Sequence, residues 1–268
     1  MKKGINAWSI PSMPVREKVL LAKKAGFEGI ELTLGEDGEI SLKTPDKDFL
    51  ELKTYIKDNG MKISGLATGL YWKYSFMSNS AEERKKAAET AVRQIEAANL
   101  LETGNILLLP GTINDSVDYE TGYNRAQEEI QKLIPTAKAN NIRIGIENVW
   151  NKFLLSPLEA RTFVDNFKSE YIGFYFDAGN VILFGYAEHW IKILGKRIIN
   201  VHFKDFNRSA NAFVDLLAGD VNYIEVVKEL EAAGYNGWVN VETGGYNQYS
   251  DQIVYNSSAA MDRILSKN

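Results

Sequence analysis

The 268 residues contain no cysteine and only two histidines. Without thiols there are no disulfides, no thiolate metal sites and no cysteine nucleophile, so any metal must be held by oxygen and imidazole. No apolar run is long enough to cross a bilayer. Met1-Lys2-Lys3 passes straight into Gly4-Ile5-Asn6-Ala7-Trp8 without the apolar core of a signal peptide, which predicts a cytoplasmic chain with no membrane partner. Asn-x-Ser triplets such as Asn207-Arg208-Ser209 then carry no glycan. A net charge of −4 argues against a broad cationic surface for phosphate backbones, and no nucleic-acid partner is expected. Neither a Walker loop nor a dinucleotide glycine fingerprint occurs, which leaves nucleotide cofactors without support. Low-complexity segments and Pro/Gly/Ser-rich linkers are also missing.

At 45% hydrophobic residues the chain can bury one barrel-sized core or two small ones. Strand-like segments centre near Ile5, Ile30, Ile63, Leu107, Ile144, Phe174, Ile199 and Val239. Between them lie helix-like stretches at Val15–Ala25, Asp46–Asn59, Ala81–Leu101, Tyr123–Asn140, Pro157–Phe167, Ala187–Leu194, Tyr223–Ala233 and Gln252–Leu265. Ser156-Pro157-Leu158-Glu159 offers an N-cap serine followed by proline at the first helical position. Gly26, Gly60 and Gly234 stand where a helix C′ glycine belongs. Strict alternation predicts a single (β/α)8 TIM barrel over residues 1–268, with an open doubly wound sheet as the alternative. The longest irregular stretches, Thr68–Ser80, Gly111–Gly122 and Asn207–Asp220, follow the third, fourth and seventh strands, at the end of a barrel where loops build sites.

Four late strands are built alike. Ile144-Gly145-Ile146-Glu147, Phe174-Tyr175-Phe176-Asp177, Ile199-Asn200-Val201-His202 and Val239-Asn240-Val241-Glu242 each alternate apolar residues with one face that ends in a metal-ligand type. A single inward carboxylate is most often an ion-pair partner. Three with an imidazole at matched strand ends repel one another unless a cation or shared protons hold them. That donor set suits a divalent ion such as Mn²⁺, Mg²⁺ or Co²⁺ with positions left open, and Zn²⁺ less well.

Gly26-Phe27-Glu28-Gly29-Ile30-Glu31-Leu32, Ile146-Glu147-Asn148-Val149-Trp150-Asn151-Lys152-Phe153, Tyr175-Phe176-Asp177-Ala178-Gly179-Asn180, Val201-His202-Phe203-Lys204-Asp205 and Gly234-Tyr235-Asn236-Gly237-Trp238 carry a resemblance. The chain resembles the sugar-phosphate isomerase/epimerase group of xylose isomerase-like TIM barrels, which includes ketose and ketose-phosphate 3-epimerases. The resemblance implies that Glu147, Asp177, His202 and Glu242 ligate a divalent metal, Mn²⁺ first, and that Glu147 and Glu242 double as the acid/base pair. It implies a ketose gripped through its carbonyl and neighbouring hydroxyl, with one glutamate removing a carbon-bound proton and the other returning one to the opposite face of a cis-enediolate. Asn180 stands where free-ketose epimerases carry histidine, a pattern resembling the branch that acts on phosphorylated sugars. Arg208 sits where relatives bring an arginine to substrate oxygens. Homo-oligomers built through barrel helices belong to the same resemblance.

Around this set, Glu31 shares the inward parity of Gly29 and is expected either to bind a sugar hydroxyl or to pair with Lys204. Lys204 shares the parity of His202, placing it to neutralise an enediolate or phosphate, or in a salt bridge. Gly244-Gly245 offers backbone N–H groups or simply a turn. Trp8, Tyr71, Trp72, Trp150 and Phe206 lie near strand ends, and Trp8 and Trp150 are the best candidates to pack on a sugar. His189 is expected on the surface. The leading function is 3-epimerisation of a small ketose or ketose phosphate; aldose-ketose isomerisation is the alternative, and a non-catalytic sugar-binding barrel is the alternative of another class. An apurinic endonuclease needs a histidine-rich trinuclear zinc cluster that two histidines do not supply.

Overall fold

The computed structural model describes residues 1–266. Eight parallel strands close into a barrel: β1 (Lys2–Asn6), β2 (Gly29–Thr33), β3 (Lys62–Ala67), β4 (Asn105–Leu108), β5 (Arg143–Glu147), β6 (Ile172–Asp177), β7 (Ile198–Phe203) and, beyond a short separate hairpin of β8 (Asp205–Asn207) and β9 (Ala212–Val214), β10 (Trp238–Val241). β10 lies between β7 and β1 and completes the ring. The helices α1 (Val15–Lys24), α2 (Asp46–Asp58), α3 (Ala81–Leu100), α4 (Tyr119–Gln131), α5 (Ile134–Asn140), α6 (Pro157–Asp165), α7 (Ala187–Leu194), α8 (Tyr223–Ala232) and α9 (Gln252–Leu265) occupy the connections and the C-terminal end. The chain is therefore a single (β/α)8 barrel, as the alternation predicts. Among the described residues no helix is long and apolar enough to cross a membrane.

Helix ends follow local chemistry. Ser156 accepts a hydrogen bond from the Glu159 amide at 3.2 Å, and Gly26, Gly60 and Gly234 adopt the positive φ that a C′ residue needs. The expected helix Tyr123–Asn140 is instead two. The Asp118 carboxylate caps the Thr121 amide at 3.0 Å and starts α4 earlier, at Tyr119. Pro135 has no N–H to give and its ring clashes with the carbonyl four residues back, so the helix breaks and restarts as α5. The stretch Asn207–Asp220 is also not wholly irregular, because the antiparallel β8–β9 hairpin runs into it and sets Phe206 opposite Phe213. Asp205 holds its base by accepting from the amides of Leu217, Gly219 and Val221 at 3.0–3.1 Å.

Apolar residues of alternate parity, including Ile144, Ile146, Phe174, Phe176, Val201, Val239 and Val241, are buried, and Phe174 meets Trp190 of α7. The opposite parity faces the barrel axis and is polar: Asn6, Glu31, Ser64, Tyr175, Asn200, His202 and Asn240 are all fully buried. Two glycines make room there. A Cβ on Gly65 would stand 2.8 Å from the Tyr175 hydroxyl, and one on Gly145 would stand 2.8 Å from the Tyr175 ring. The axis is thus filled by one large hydroxylated ring and a hydrogen-bonded polar layer beneath the C-terminal mouth.

Candidate metal centre and active-site mouth

Strand register assembles the cluster. Glu147 pairs with Tyr175 across β5 and β6, and Asp177 with His202 across β6 and β7. The Glu242 amide, one residue past β10, donates to Phe203 O at 2.9 Å. Four carboxyl and imidazole atoms from four strand ends therefore meet: one ligand atom each of Glu147, Asp177, His202 and Glu242 lies within 4.8 Å of every other. Ligands bound at about 2.1 Å on opposite sides of a small divalent ion stand about 4.2 Å apart, so the cluster has the dimensions of a coordination shell.

The imidazole has two different faces. Nδ1 lies 3.0 Å from Glu242, 3.2 Å from Glu147 and 4.0 Å from Asp177, while Nε2 lies 2.6 Å from Glu31. The expected Glu31–Lys204 pair does not form. Glu31 is fully buried beneath His202, and Lys204 instead sits 3.2 Å from Glu242 and 4.7 Å from the Phe213 ring centroid.

Asp177 is held by its neighbours. The Asn148 side chain donates to Asp177 O at 2.8 Å and accepts from the Asp177 amide at 2.9 Å. The Asn180 amide donates to Asp177 Oδ1 at 2.7 Å, and its side chain donates to Asn148 O at 2.9 Å. Asp177 Oδ2 is then buried with no hydrogen-bond partner. A buried carboxylate oxygen left unpaired is costly, and its position in this cluster fits a cation.

Ionisation reflects the crowding. Burial raises Glu147 to about 7 and Asp177 to about 6. Burial acts on Glu242 in the same sense, but His202 and Lys204 outweigh it and hold that carboxyl down at about 2. Desolvation alone would lower His202; Glu31, Glu147 and Glu242 raise it well above its ordinary value. Lys204 is likewise raised, because Asp177, Glu242 and Glu147 overcome its desolvation. These are the perturbations expected where several carboxylates share a dry site.

Above the cluster opens a cavity of about 290 Å³ lined by Glu147, Glu242, Lys204 and Asn180, with Trp8, Thr68, Trp72, Leu107, Leu109, Val149, Trp150 and Phe213 as its walls. Trp150 packs on Phe213 with centroids 4.8 Å apart and donates to Asn180 O at 2.9 Å. Of the other aromatics, Tyr71 and Phe206 are buried and do not line this space, and Phe206 packs behind its Trp150 and Phe213 walls. Arg208 is not at the mouth: its guanidinium donates to Ile182 O and Gly185 O at 2.9 Å each, bracing the loop after β6. Gly244 and Gly245 are exposed after β10, and His189 is exposed on α7 beside Tyr186. Sequence reasoning misses Asn148 and Phe213. Asn148 directly follows the candidate ligand Glu147 and is legible in principle, whereas Phe213 reaches the mouth only through the hairpin.

The chain is 26% identical to MJ1311 of Methanocaldococcus jannaschii over 167 residues, 59% of this chain, and spans 57% of that protein's length. It is 23% identical over 237 residues, 84% of this chain and 82% of the relative, to a protein of Escherichia coli (strain K12) named "Putative L-ribulose-5-phosphate 3-epimerase SgbU". A solved "D-tagatose 3-epimerase-like protein" superposes with a TM-score of 0.85 at 21% identity, covering 99% of this chain and 97% of the other. Residues 19–264 match the family described as "Xylose isomerase-like TIM barrel", and the chain belongs to that family.

Proposed function

We propose that the chain is a metal-dependent sugar isomerase/epimerase that inverts C3 of a small ketose. The observation that carries this reading is the cluster itself: an imidazole nitrogen turned toward three carboxylates at the floor of a cavity whose walls are aromatic. Glu147, Asp177, His202 and Glu242 would hold a divalent ion, Mn²⁺ first given the oxygen-rich donor set, with Mg²⁺, Co²⁺ or Zn²⁺ as alternatives. Such an ion supplies Lewis-acid polarisation of the substrate carbonyl, which acidifies the neighbouring C–H bond.

The protein's own groups do the rest. Glu147 and Glu242 come from strands three apart in the ring and both line the cavity, so one removes the C3 proton and the other delivers a proton from the opposite side, inverting the centre. Lys204 stands beside Glu242 and adds positive charge where the enediolate develops. Trp8, Trp72, Trp150 and Phe213 pack on the sugar and exclude water. Lys204, the one cation among the lining residues, is already engaged by Glu242, and apart from Thr68, Asn180 and the two glutamates the rest of the lining is aliphatic or aromatic. This lining favours an unphosphorylated ketose over its phosphate, a different substrate from the one in the Escherichia coli relative's name.

The test is NMR of ketoses and ketose phosphates incubated in D₂O with Mn²⁺-loaded protein. Deuterium is expected at C3 of a free ketose and lost in both Glu147→Gln and Glu242→Gln. Exchange retained in both variants refutes the acid/base pair, and deuterium appearing at C1 or C2 instead marks an aldose-ketose isomerase.

A further inference from the structure

We infer that Glu31 is a positioning residue that presents His202 to the metal, fixing Nε2 as the protonated nitrogen and Nδ1 as the ligating one; the inference rests on the metal-site reading above. Glu31 lies on β2, far in sequence from the four ligands and fully buried. Both of its carboxylate oxygens are engaged. Oε1 accepts from the Tyr175 hydroxyl, and Oε2 accepts from Asn6 Nδ2 and stands 2.6 Å from His202 Nε2. Tyr175 is itself oriented by Asn200 Nδ2 at 2.7 Å. A carboxylate offers only acceptors. With an amide N–H and a phenol O–H already donating, the Nε2 neighbour must also donate, so Nε2 carries a proton.

Neutral imidazole carries only one N–H. With the proton on Nε2, the Nδ1 lone pair faces Glu147, Glu242 and Asp177 at 3.0–4.0 Å. A lone pair looking at three carboxylates is repulsive, so in the metal-free protein Nδ1 carries a second proton shared with Glu147 and Glu242, and a divalent ion binds by displacing it. The clamp therefore prepares one nitrogen for the metal, as an N–H to carboxylate contact does on the far side of metal-bound imidazoles generally. The same geometry removes the two roles the sequence allows for this residue. Glu31 does not line the cavity, so it has no access to a sugar hydroxyl, and Lys204 is bound elsewhere.

Long-range ¹H–¹⁵N spectra of the full chain, labelled at histidine and titrated with diamagnetic Zn²⁺, read the assignment directly. Only His189 and His202 contribute, and exposed His189 serves as the reference. Zn²⁺ is expected to shift His202 Nδ1 while Nε2 keeps its proton. In Glu31→Gln, three donors face one amide oxygen, so the proton is no longer confined to Nε2, and Zn²⁺ affinity falls about 10- to 100-fold. Tyr175→Phe, which leaves the His202 contact intact, loses less. Nε2 coordination, a proton retained on Nδ1 in the loaded wild type, or a folded Glu31→Gln that binds Zn²⁺ within about twofold of wild type overturns the assignment. A His202 that does not respond to Zn²⁺ at all overturns it together with the metal site. Loss of C3 exchange with the spectra as expected counts against the activity alone, and the wild-type spectrum decides even if a variant fails to fold.

Discussion

Stripping the metal and varying pH tests the electrostatics of the cluster most directly. Burial raises Glu147 to about 7 and Asp177 to about 6, against ordinary carboxyl values near 4. A carboxyl raised on folding stabilises the native state at low pH, where it is protonated, and that contribution is lost as pH climbs through its folded value. His202, also raised, works in the same direction, losing its contribution as pH rises. Glu242, held at about 2, behaves oppositely but changes only below pH 5. The metal-free protein should therefore lose stability between about pH 4.5 and 7. At about 1.4 kcal/mol for each pH unit that separates the folded value from the unfolded one, each carboxyl contributes on the order of 3 kcal/mol, and the two share one field and do not add. For a chain of this length, 3 kcal/mol lowers Tm by roughly 5–10 °C.

Metal binding must run the other way, because the ligands coordinate only after losing their protons. Mn²⁺ affinity should rise across the same window with net proton release. At a saturating concentration the ion should flatten the fall in Tm, since a ligand of the native state stabilises by mass action. Differential scanning calorimetry of EDTA-stripped and Mn²⁺-loaded protein from pH 4.5 to 8, with titration calorimetry in buffers of different ionisation enthalpy, measures both. A stripped protein whose Tm is flat or rises over this range, or binding with no proton release at pH 6, would refute the crowded-carboxylate reasoning.

Two further substitutions probe the supports of the site. Asn148→Ala leaves the buried N–H and C=O of Asp177 without their side-chain partners; at about 1–3 kcal/mol per unpaired group, the urea midpoint should fall clearly and Mn²⁺ affinity with it, and an unchanged midpoint refutes the clamp. Phe213→Ala removes a partly exposed ring stacked on Trp150; it should cost about 0.5–1.5 kcal/mol of stability while raising KM for the exchanged ketose, and an unchanged KM removes the hairpin from the substrate site.

Much of this protein is legible in one dimension. The two-residue strand period places Glu147, Asp177, His202 and Glu242 on one face of their strands. Because parallel strands in a barrel present their C-terminal ends to one side, parity and order together are enough to nominate the four groups that the fold brings within 4.8 Å of one another. Caps and C′ glycines likewise speak for themselves, since each depends on residues within one turn. The break before Pro135 is local too, and the run of helical residues around it masks it.

What parity leaves open is which inward groups touch. Glu31 and Lys204 both point inward, yet the ring brings Glu31 under His202 and Lys204 beside Glu242. Arg208, six residues past His202, is carried by the turn of the hairpin to backbone carbonyls after β6, and Phe213 enters the mouth by the same hairpin. Strand alternation is a property of neighbouring residues and can be read along the chain. Pairing among side chains on the barrel axis depends on closure, stagger and the space that Gly65 and Gly145 leave for Tyr175. Those distances exist only once all eight strands have met, so the four candidate donors belong to the sequence and the face of the imidazole turned toward them to the tertiary structure.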